Sequence, residues 1–597
     1  MSKIAQFKKG KIMEIITEFL AGIVGDAFEK CGYDRSMGRV TMSDRLDLCQ
    51  FQCNGAFEGA KRYKKAPFII ADEVVAAMDK SLFSKAEAVR PGFINLTLSD
   101  GELLKFACDA AGEVPAVNAG ETIVIDYGGP NVAKPLHIGH LRSAVIGESI
   151  KRILKACGAR VIGDIHLGDW GLQIGLIISE LKHRHPDWRC FAPDFDECSD
   201  TFPDITLEDL SEIYPFASKK SKEDDGFKRE ALKATADLQK GKAGYMAVWK
   251  KIMAVSVPDL KQIYNRLNVS FDCWYGESDA EKYVDKLMEA LRGKNLVRES
   301  DGALVVDVAK DDDTAEIPPV IVKKSDGSNI YATTDLATII QRQCDFSPNK
   351  ILYITDSRQS LHFEQVFRCA RLAQLIPDDT ALEFLGFGTV NGPDGKPFKT
   401  RDGGTMRLEE LLNMASAAAL EKLNESAHMS DEEDNEQKTD KAEKIGIAAI
   451  KFGDLINQKS KDYIFDMSKF LAFEGKTGPY ILYTVTRINS ILKKLNVPYD
   501  SNIKPSEIYS DIERELYLKM ALSADTVIKA AADRAPNIIC ENLYQTAALF
   551  SRFYHDNRII DEPNAAKREN WTALIITVRK VLMLYLNLLG IEAVDSM

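Results

Sequence analysis

The sequence predicts an α/β protein built on a doubly wound parallel sheet, with an inserted segment, a small α+β N-terminal domain and an all-α C-terminal bundle. The first observation is an apolar, β-branched run at residues 121–125, followed by a Gly/Pro-rich turn and by apolar residues at helical spacing from Leu141 onwards. The second is a wholly helical pattern after Leu408. The third is a series of further apolar runs that alternate with helical stretches, at residues 160–164, 303–308, 319–322, 351–355 and 384–390.

The length of the chain predicts several domains. At 597 residues it is long enough for about three or four. We expect an N-terminal domain over residues 1–115, a catalytic domain over residues 116–408 and a C-terminal domain over residues 409–597. Residues of about 195–300 are polar, helical in pattern and rich in Lys, Glu and Asp, so we interpret them as an insertion between the two halves of the sheet.

The composition is that of a soluble globular protein, with 45% hydrophobic and 28% charged residues. The first residues lack the apolar core of a signal peptide, and no run reaches the ~20 apolar residues that a membrane helix needs. Eleven cysteines are scattered without a CxxC pair, which disfavours a disulfide framework or a zinc site and favours the cytoplasm. The net charge of −12 does not exclude a nucleic-acid partner, because binding depends on local basic patches.

One such patch is predicted in the N-terminal domain. Residues 61–65 read Lys-Arg-Tyr-Lys-Lys, four cations with an aromatic side chain among them. The cations could hold RNA phosphates while Tyr63 stacks on a base. The alternative is an ordinary solvated helix face.

The turn after the first predicted strand is suited to a nucleotide. A strand, a turn and the start of a helix form the phosphate-binding arrangement of a Rossmann-type sheet, where unpaired N–H groups meet the anion. The turn has neither a dinucleotide-binding nor a P-loop pattern. It carries instead His137 and His140, which can donate hydrogen bonds to a phosphoryl group, and Gly139, which lets a base approach the backbone. The alternative is that the histidines only cap the helix.

The whole string Pro-Asn-Val-Ala-Lys-Pro-Leu-His-Ile-Gly-His-Leu-Arg at residues 130–142 resembles the adenylate-binding turn of class I aminoacyl-tRNA synthetases. With Asn131 and Lys134 upstream of the histidines, it is similar to the arginyl-tRNA synthetase family. The string Ile-His-Leu-Gly-Asp-Trp-Gly at residues 165–171 also resembles that family, and it brings His166 to the carboxyl edge of the sheet.

Tyr331 and Asp335 are the candidate selectivity residues. They are four apart, so they can face each other at the start of a helix. A buried carboxylate beside a phenol is costly unless a cation pairs with it, and a guanidinium supplies both the charge and bidentate hydrogen bonds. The alternative is a helix-capping aspartate. Gln359 and His362 stand at the next carboxyl edge, and the resemblance implies that Gln359 helps to bind the arginine side chain.

The resemblance also implies where the rest of the amino acid lies. It places Asn131 and His137 near the amino and carboxylate groups of arginine. Asp126 at the end of the first strand and Glu277 in an aromatic turn at residues 271–278 are further candidate substrate contacts.

The last predicted strand and the loop after it complete the expected nucleotide site. The backbone of residues 384–390, at Gly388 and Val390, is expected to hold the adenine edge. A Gly-rich cationic loop follows at residues 392–404, and it suits stabilisation of a departing pyrophosphate. Class I synthetases place their lysine-rich signature loop here.

The signature of that loop is incomplete in this chain. Lys399 and Arg401 are present, but Thr400 stands where the second lysine is usual. Because Lys134 sits beside the same phosphates, we expect it to substitute for the absent lysine, with Lys399 and Arg401 contributing.

The resemblance therefore implies an arginine–tRNA ligase. ATP and L-arginine give arginyl-adenylate and diphosphate, and the arginyl group then passes to the 3′ end of tRNA(Arg), with Mg²⁺ accompanying ATP. The N-terminal domain is expected to meet the tRNA corner at its D-loop and the C-terminal domain to bind the anticodon. We further expect a monomer without a membrane partner.

Two alternatives stay open on the sequence. A sister class I ligase for cysteine or glutamine would share the histidine turn, although Tyr331, Asp335 and the absence of zinc ligands disfavour cysteine. A non-catalytic tRNA-binding paralogue would be expected to lack His137, His140 or Lys134, and all three are present.

Overall fold

The N-terminal unit is an antiparallel sheet with helices packed on it. The computed structural model describes residues 15–325, 327–392, 394–396, 406–425 and 435–597. The first elements are α1 Ile16–Lys30, β1 Val40–Met42, β2 Phe51–Cys53, α2 Gly55–Tyr63, α3 Pro67–Ala77, β3 Phe83–Val89, β4 Phe93–Leu98 and α4 Asp100–Ala110. The sheet order is β1-β2-β4-β3 with every neighbour antiparallel. Helix α1 buries Phe19, Leu20 and Phe28 in the core that it shares with α3 and the sheet.

The predicted strand, turn and helix around the histidines are present. They are followed by a second strand and helix, giving β5 Thr122–Asp126, α5 Ile138–Ala156, β6 Arg160–Asp164 and α6 Leu172–Arg184. Strands β5 and β6 are parallel, with Asp126 opposite Asp164. Ile123, Val124 and Ile125 of β5 are fully buried because both faces of the sheet are covered.

The segment predicted as an insertion is helical. It contains α7 Leu207–Glu223, α8 Asp225–Gln239, α9 Ala243–Arg266, α10 Glu277–Ala280 and α11 Val284–Gly293. Three strands come next, β7 Val297–Ser300, β8 Ala303–Val306 and β9 Val320–Lys323.

The prediction that residues 303–308 and 319–322 extend the parallel sheet is wrong. They contribute β8 and β9 to a separate antiparallel sheet with the order β7-β8-β9. The reason is local. Asp301 and Gly302 both have positive φ, at 51° and 76°, which forms a two-residue hairpin that folds β8 back onto β7.

The parallel sheet is completed by α12 Tyr331–Phe346, β10 Lys350–Tyr353, α13 Ser360–Leu372 and β11 Ala381–Phe384. Its order is β11-β10-β5-β6, with all neighbours parallel. The chain leaves β5 towards β6 on one side and returns to β10 on the other. The carboxyl ends of β5 and β10 therefore form the topological switch point, where doubly wound sheets bind their ligands.

The predicted last strand at residues 384–390 is not continuous. Strand β11 ends at Phe384, and the chain resumes a strand only at β12 Val390–Asn391. Strand β12 pairs in parallel with β13 Tyr463–Ile464, which lies beyond the predicted domain boundary at residue 408.

In the described residues from 406 onwards, every helix or strand other than β13 is a helix. The helices are α14 Leu408–Glu425, α15 Asn435–Leu455, α16 Met467–Phe470, α17 Gly478–Lys494, α18 Asp511–Ala521, α19 Ser523–Asp533, α20 Pro536–Asp556 and α21 Ala565–Leu588. Helix α4 packs on α18, and Asp100 forms an ion pair with Arg514 there. Contrary to the expectation from the sequence, α21 is long and apolar enough to cross a membrane, but 72% of its apolar window is buried inside the protein.

A buried ion triad joins α12 to the sheet. The guanidinium of Arg342 donates from Nη2 to Asp126 Oδ2 at 2.7 Å and to Asp164 Oδ2 at 2.6 Å, and from Nε to Asp164 at 3.0 Å. Arg342 and Asp164 are completely inaccessible to solvent. Both carboxylates end their strands, so one cation holds the carboxyl edges of β5 and β6 against α12.

We expect Arg342→Met to destabilise the central sheet strongly, because it leaves two adjacent buried carboxylates without a cation. Removing one partner of a buried ion pair costs about 3–5 kcal/mol, which should lower the thermal unfolding midpoint by roughly 5–10 °C. The control is Arg298→Met, which breaks an exposed pair with Asp307 of equal 2.7 Å distance. Calorimetry of both variants checks this, and a midpoint for Arg342→Met equal to that of the control would contradict it.

Candidate active site

A cavity of about 580 Å³ opens at the carboxyl edge of the parallel sheet, beside the switch point. Its walls are the segments that follow β5, β6 and β10 and the first turns of α5 and α12. The cavity brings together most of the residues singled out in the sequence, namely Asp126, Asn131, His137, Gly139, His140, His166, Glu277, Tyr331, Asp335, Gln359 and His362. The histidine turn and the candidate selectivity residues therefore face one space.

His137 and His140 stand at the start of α5 with their ring centres 3.9 Å apart. His137 is the N-cap residue, and its Nδ1 accepts the N–H of Gly139 at 3.0 Å. The Nδ1 of His140 accepts the N–H of His137 at 3.0 Å. An accepting Nδ1 carries no proton, so each neutral ring has its proton on Nε2. Capping and donation, the two roles considered from the sequence, are compatible because they use different nitrogens.

The environment keeps both rings neutral. Burial lowers the pKa of His140 to about 3, and the charges of His137 and Lys134 act in the same direction. Burial and Lys134 also lower the pKa of His137. Gly139 is needed for this arrangement, since a Cβ atom there would lie 2.8 Å from the ring of His137.

The chain that follows the cationic loop pairs with the histidine turn. The N–H of Ile138 donates to the carbonyl of Met406 at 3.1 Å, and the N–H of Leu408 donates to the carbonyl of Leu136 at 2.8 Å. Met406 and Leu408 are therefore fixed beside the turn that carries the two imidazoles. Lys399 and Arg401 lie outside the described residues.

Asp335 lines the cavity from the second turn of α12, and we call its surroundings the acidic end of the cavity. Its Oδ2 is 2.6 Å from Nε2 of His362, and its Oδ1 is 3.9 Å from Nε2 of His166. The expectation of a buried carboxylate beside a phenol is corrected in two respects. The carboxylate is 17% exposed, towards the cavity, and an imidazole already contacts it. It is not a capping residue either, because Ile330 holds the N-cap position of α12.

Glu277 and Tyr331 complete this acidic end. Glu277 begins α10 and is buried at 8% exposure. Burial raises the pKa of Glu277 to about 7, with Asp169 and Asp335 raising it further against the lowering effect of His166. Tyr331 is the first residue of α12, and with 61% exposure its side chain is free to meet a ligand.

Three further residues predicted to contact the substrate line the cavity, and they differ in how firmly other side chains hold them. Asn131 Oδ1 accepts a hydrogen bond from Gln173 at 3.2 Å. Gln359 is exposed at the end of a short 3₁₀ turn. Asp126 is constrained, because its Oδ2 is bonded to Arg342, so its main role in the fold is structural.

The structure places three predicted residues away from this cavity. The ammonium of Lys134 lies 4.4 Å from the ring centre of Tyr214, in a neighbouring cavity of about 480 Å³ between the turn and helices α7 and α9. The N–H of Gly388 donates to Lys459 and its carbonyl accepts from Arg142. Val390 is buried in β12. Phe387 lines the cavity in their place.

Family models match three successive parts of the chain. Residues 11–98 match the arginyl tRNA synthetase N terminal domain, residues 108–467 the catalytic domain of class I (R) tRNA synthetases, and residues 481–597 the DALR anticodon binding domain. The chain belongs to the arginyl-tRNA synthetase family.

Individual relatives of this family match the chain from end to end. The chain is 48% identical over 593 residues to the arginine–tRNA ligase of Alkaliphilus oremlandii and 47% identical over 602 residues to that of Agathobacter rectalis, covering 98% of this chain and 100% of each relative. Solved structures of the arginyl-tRNA synthetases from Plasmodium falciparum (TM-score 0.81, 24% identity) and Thermus thermophilus (TM-score 0.79, 22% identity) also match, over 98% of this chain and 100% of each of theirs. At these identities the structural likeness supports a shared fold.

The raised pKa of Glu277 predicts how stability depends on pH. The ordinary pKa of a glutamate is 4.5, and the pKa of Glu277 in the folded protein is about 7. As the pH rises between these two values, the unfolded chain loses this proton before the folded protein does. The wild-type fold therefore loses stability over that pH range. Glu277→Gln has no proton to lose. We expect its free energy of unfolding, relative to wild type, to rise by about 3 kcal/mol between pH 5 and pH 8.

Thermal midpoints measured at the two pH values check this prediction. The control variant is Glu299→Gln at an exposed position of β7, for which the difference from wild type should be the same at both pH values. A Glu277→Gln difference that is equally independent of pH would contradict the assignment.

Proposed function

We propose that this protein is an arginine–tRNA ligase that forms arginyl-adenylate from ATP and L-arginine and transfers the arginyl group to the 3′ end of tRNA(Arg). The observation that carries the proposal is that one cavity is lined both by two neutral imidazole donors and by acidic side chains. Membership of the arginyl-tRNA synthetase family supports the same reaction.

No protein side chain attacks in the first step. A carboxylate oxygen of arginine attacks the α-phosphorus of ATP, the bond between that phosphorus and the bridging oxygen breaks, and pyrophosphate leaves. Charge grows on the α-phosphoryl oxygens during this exchange. The Nε2–H groups of His137 and His140 donate to these oxygens, and because the rings are already neutral and fixed by their Nδ1 bonds, little reorganisation is needed.

The leaving pyrophosphate requires cations. We infer that Lys134, Lys399 and Arg401 supply them. The ammonium of Lys134 faces Tyr214 beside the neighbouring cavity, so this role requires its side chain to turn towards the phosphates. In the second step the terminal ribose hydroxyl of tRNA attacks the arginyl carbonyl, the carbonyl–phosphate bond breaks, and AMP leaves.

The acidic end of the cavity selects the amino acid. The guanidinium meets Asp335, with Tyr331, Gln359 and Glu277 around it, and its planar group of donors can bond to carboxylate and phenol oxygens together. A lysine ammonium is a point charge that leaves some of these acceptors unpaired. Sites of this kind can discriminate by 10⁴-fold or more, so a separate editing site is not required. We place Asn131 and His137 near the amino and carboxylate groups of arginine.

The remaining partners follow from the reaction. Among the described residues no three His, Cys, Asp or Glu side chains are grouped to hold a metal ion. Because Mg²⁺ is usually held by one or two carboxylates together with substrate phosphates, we infer that it enters on the triphosphate. We further propose that the enzyme acts as a cytoplasmic monomer, that residues 1–115 hold the tRNA corner and that residues 409–597 hold the anticodon.

Aminoacylation of bulk tRNA with each of the twenty amino acids tests the proposed ligase activity. The proposal fails if arginine is not the amino acid that is attached.

We expect Asp335→Asn to raise mainly the arginine KM, because the neutral amide loses the charged hydrogen bonds to the guanidinium. A charged hydrogen bond is worth about 1.5–3 kcal/mol, so the KM should rise roughly 10- to 100-fold. The ATP KM should change little. Steady-state aminoacylation checks this with Asp307→Asn, an exposed aspartate on the antiparallel sheet side of the molecule, as the control. An unchanged arginine KM would remove Asp335 from the pocket.

Two substitutions at His140 separate donation from capping. Asparagine keeps an acceptor near the Nδ1 position but has no donor at the Nε2 position, whereas glutamine does the reverse. We expect His140→Asn to lower kcat by roughly 10²–10³, as for the loss of one transition-state donor. His140→Gln should keep most of the rate. Single-turnover adenylate formation measures this, and a fast His140→Asn enzyme would contradict the donor role.

A further inference from the structure

The contact between His362 and Asp335 connects two helices at the wall of the cavity. His362 is the third residue of α13 and Asp335 lies on α12, and their Nε2 and Oδ2 atoms are 2.6 Å apart. Both side chains line the cavity. His362 also packs edge-on against Phe363, with ring centres 5.3 Å apart, so the imidazole is oriented by packing as well as by Asp335.

This contact limits what Asp335 can do. The carboxylate has about four lone-pair sites, and the hydrogen bond from His362 uses one of those on Oδ2. The rotation of the carboxylate is thereby fixed, with Oδ1 left for the cavity, where the nearest imidazole nitrogen, that of His166, is still 3.9 Å away. Without His362 the side chain of Asp335 would be free to turn.

We propose that His362 is a positioning residue for substrate recognition: it fixes the carboxylate of Asp335 in the orientation that accepts the guanidinium of arginine. The inference rests on the proposed function. A planar guanidinium bonds well only to a carboxylate held in a matching plane. His362 therefore contributes to arginine affinity through Asp335 and takes no part in the chemistry at phosphorus.

The test compares a donor-free and a donor-bearing side chain at this position. Phenylalanine fills the volume of the imidazole without an N–H group, asparagine is too short to reach Asp335, and glutamine can present an N–H group close to the Nε2 position. We expect His362→Phe and His362→Asn each to raise the arginine KM about tenfold, the effect of losing one charged hydrogen bond. His362→Gln should stay within about threefold of wild type, and the ATP KM within about twofold in all three.

A matched control and a double variant show whether the effect passes through Asp335. His183→Phe removes another histidine–carboxylate contact, with Glu230 at 2.7 Å, on the surface between α6 and α8, and should leave the arginine KM unchanged. In the Asp335→Asn background, His362→Phe should add less than about twofold, because coupled residues are not additive.

Each other outcome overturns the inference. These outcomes are an unchanged arginine KM in both His362→Phe and His362→Asn, a parallel rise of the ATP KM, a His362→Gln enzyme as impaired as His362→Phe, and a full tenfold effect in the Asp335→Asn background. The proposed function is judged separately, by whether the wild-type enzyme attaches arginine at all. An active wild type with His362 variants that bind arginine normally refutes only the positioning role.

Discussion

The guanidinium of Arg342, held between the carboxylates of Asp126 and Asp164, is the interaction on which the geometry of the cavity depends. One end of α12 is fixed to the strand ends of β5 and β6, while the other end carries Tyr331 and Asp335. The histidine turn follows β5 directly. Arg342 therefore ties the helix that carries the acidic end to the strands beside the histidine turn, although it does not itself line the cavity. Such a buried charge is tolerated because two carboxylates surround it.

The histidine turn shows how one residue type can serve the fold and the chemistry together. Each ring uses Nδ1 to satisfy a backbone N–H at the start of α5, where helix N–H groups lack partners within the helix. That bond fixes the tautomer and leaves the Nε2 proton directed elsewhere. The low pKa of His140 means that the ring is neutral, so in the proposed mechanism it would donate without adding a positive charge.

Much of the site could be predicted because its residues form local strings at strand ends, and strand ends of a parallel sheet meet at one edge. His137, His140, Tyr331 and Asp335 were found in this way. Contacts between distant segments left no such signal. The pairing of Asp335 with His362 joins two helices, and the engagement of Gly388 by Arg142 joins positions 246 residues apart. The antiparallel sheet was missed for a different reason. The prediction considered only the apolar pattern of the strands, whereas the signal for a hairpin was the Asp301-Gly302 turn between β7 and β8.

The pairing of β12 with β13 has a consequence for dissecting the molecule into fragments. The chain enters the cationic loop from β12, which pairs with β13 at residues 463–464. After the loop, Met406 and Leu408 pair with the histidine turn. A truncation near residue 408 would remove the strand that pairs with β12, where the chain enters the loop. A fragment that keeps this pairing must therefore extend past β13, so the first part of the helical tail belongs structurally with the catalytic sheet.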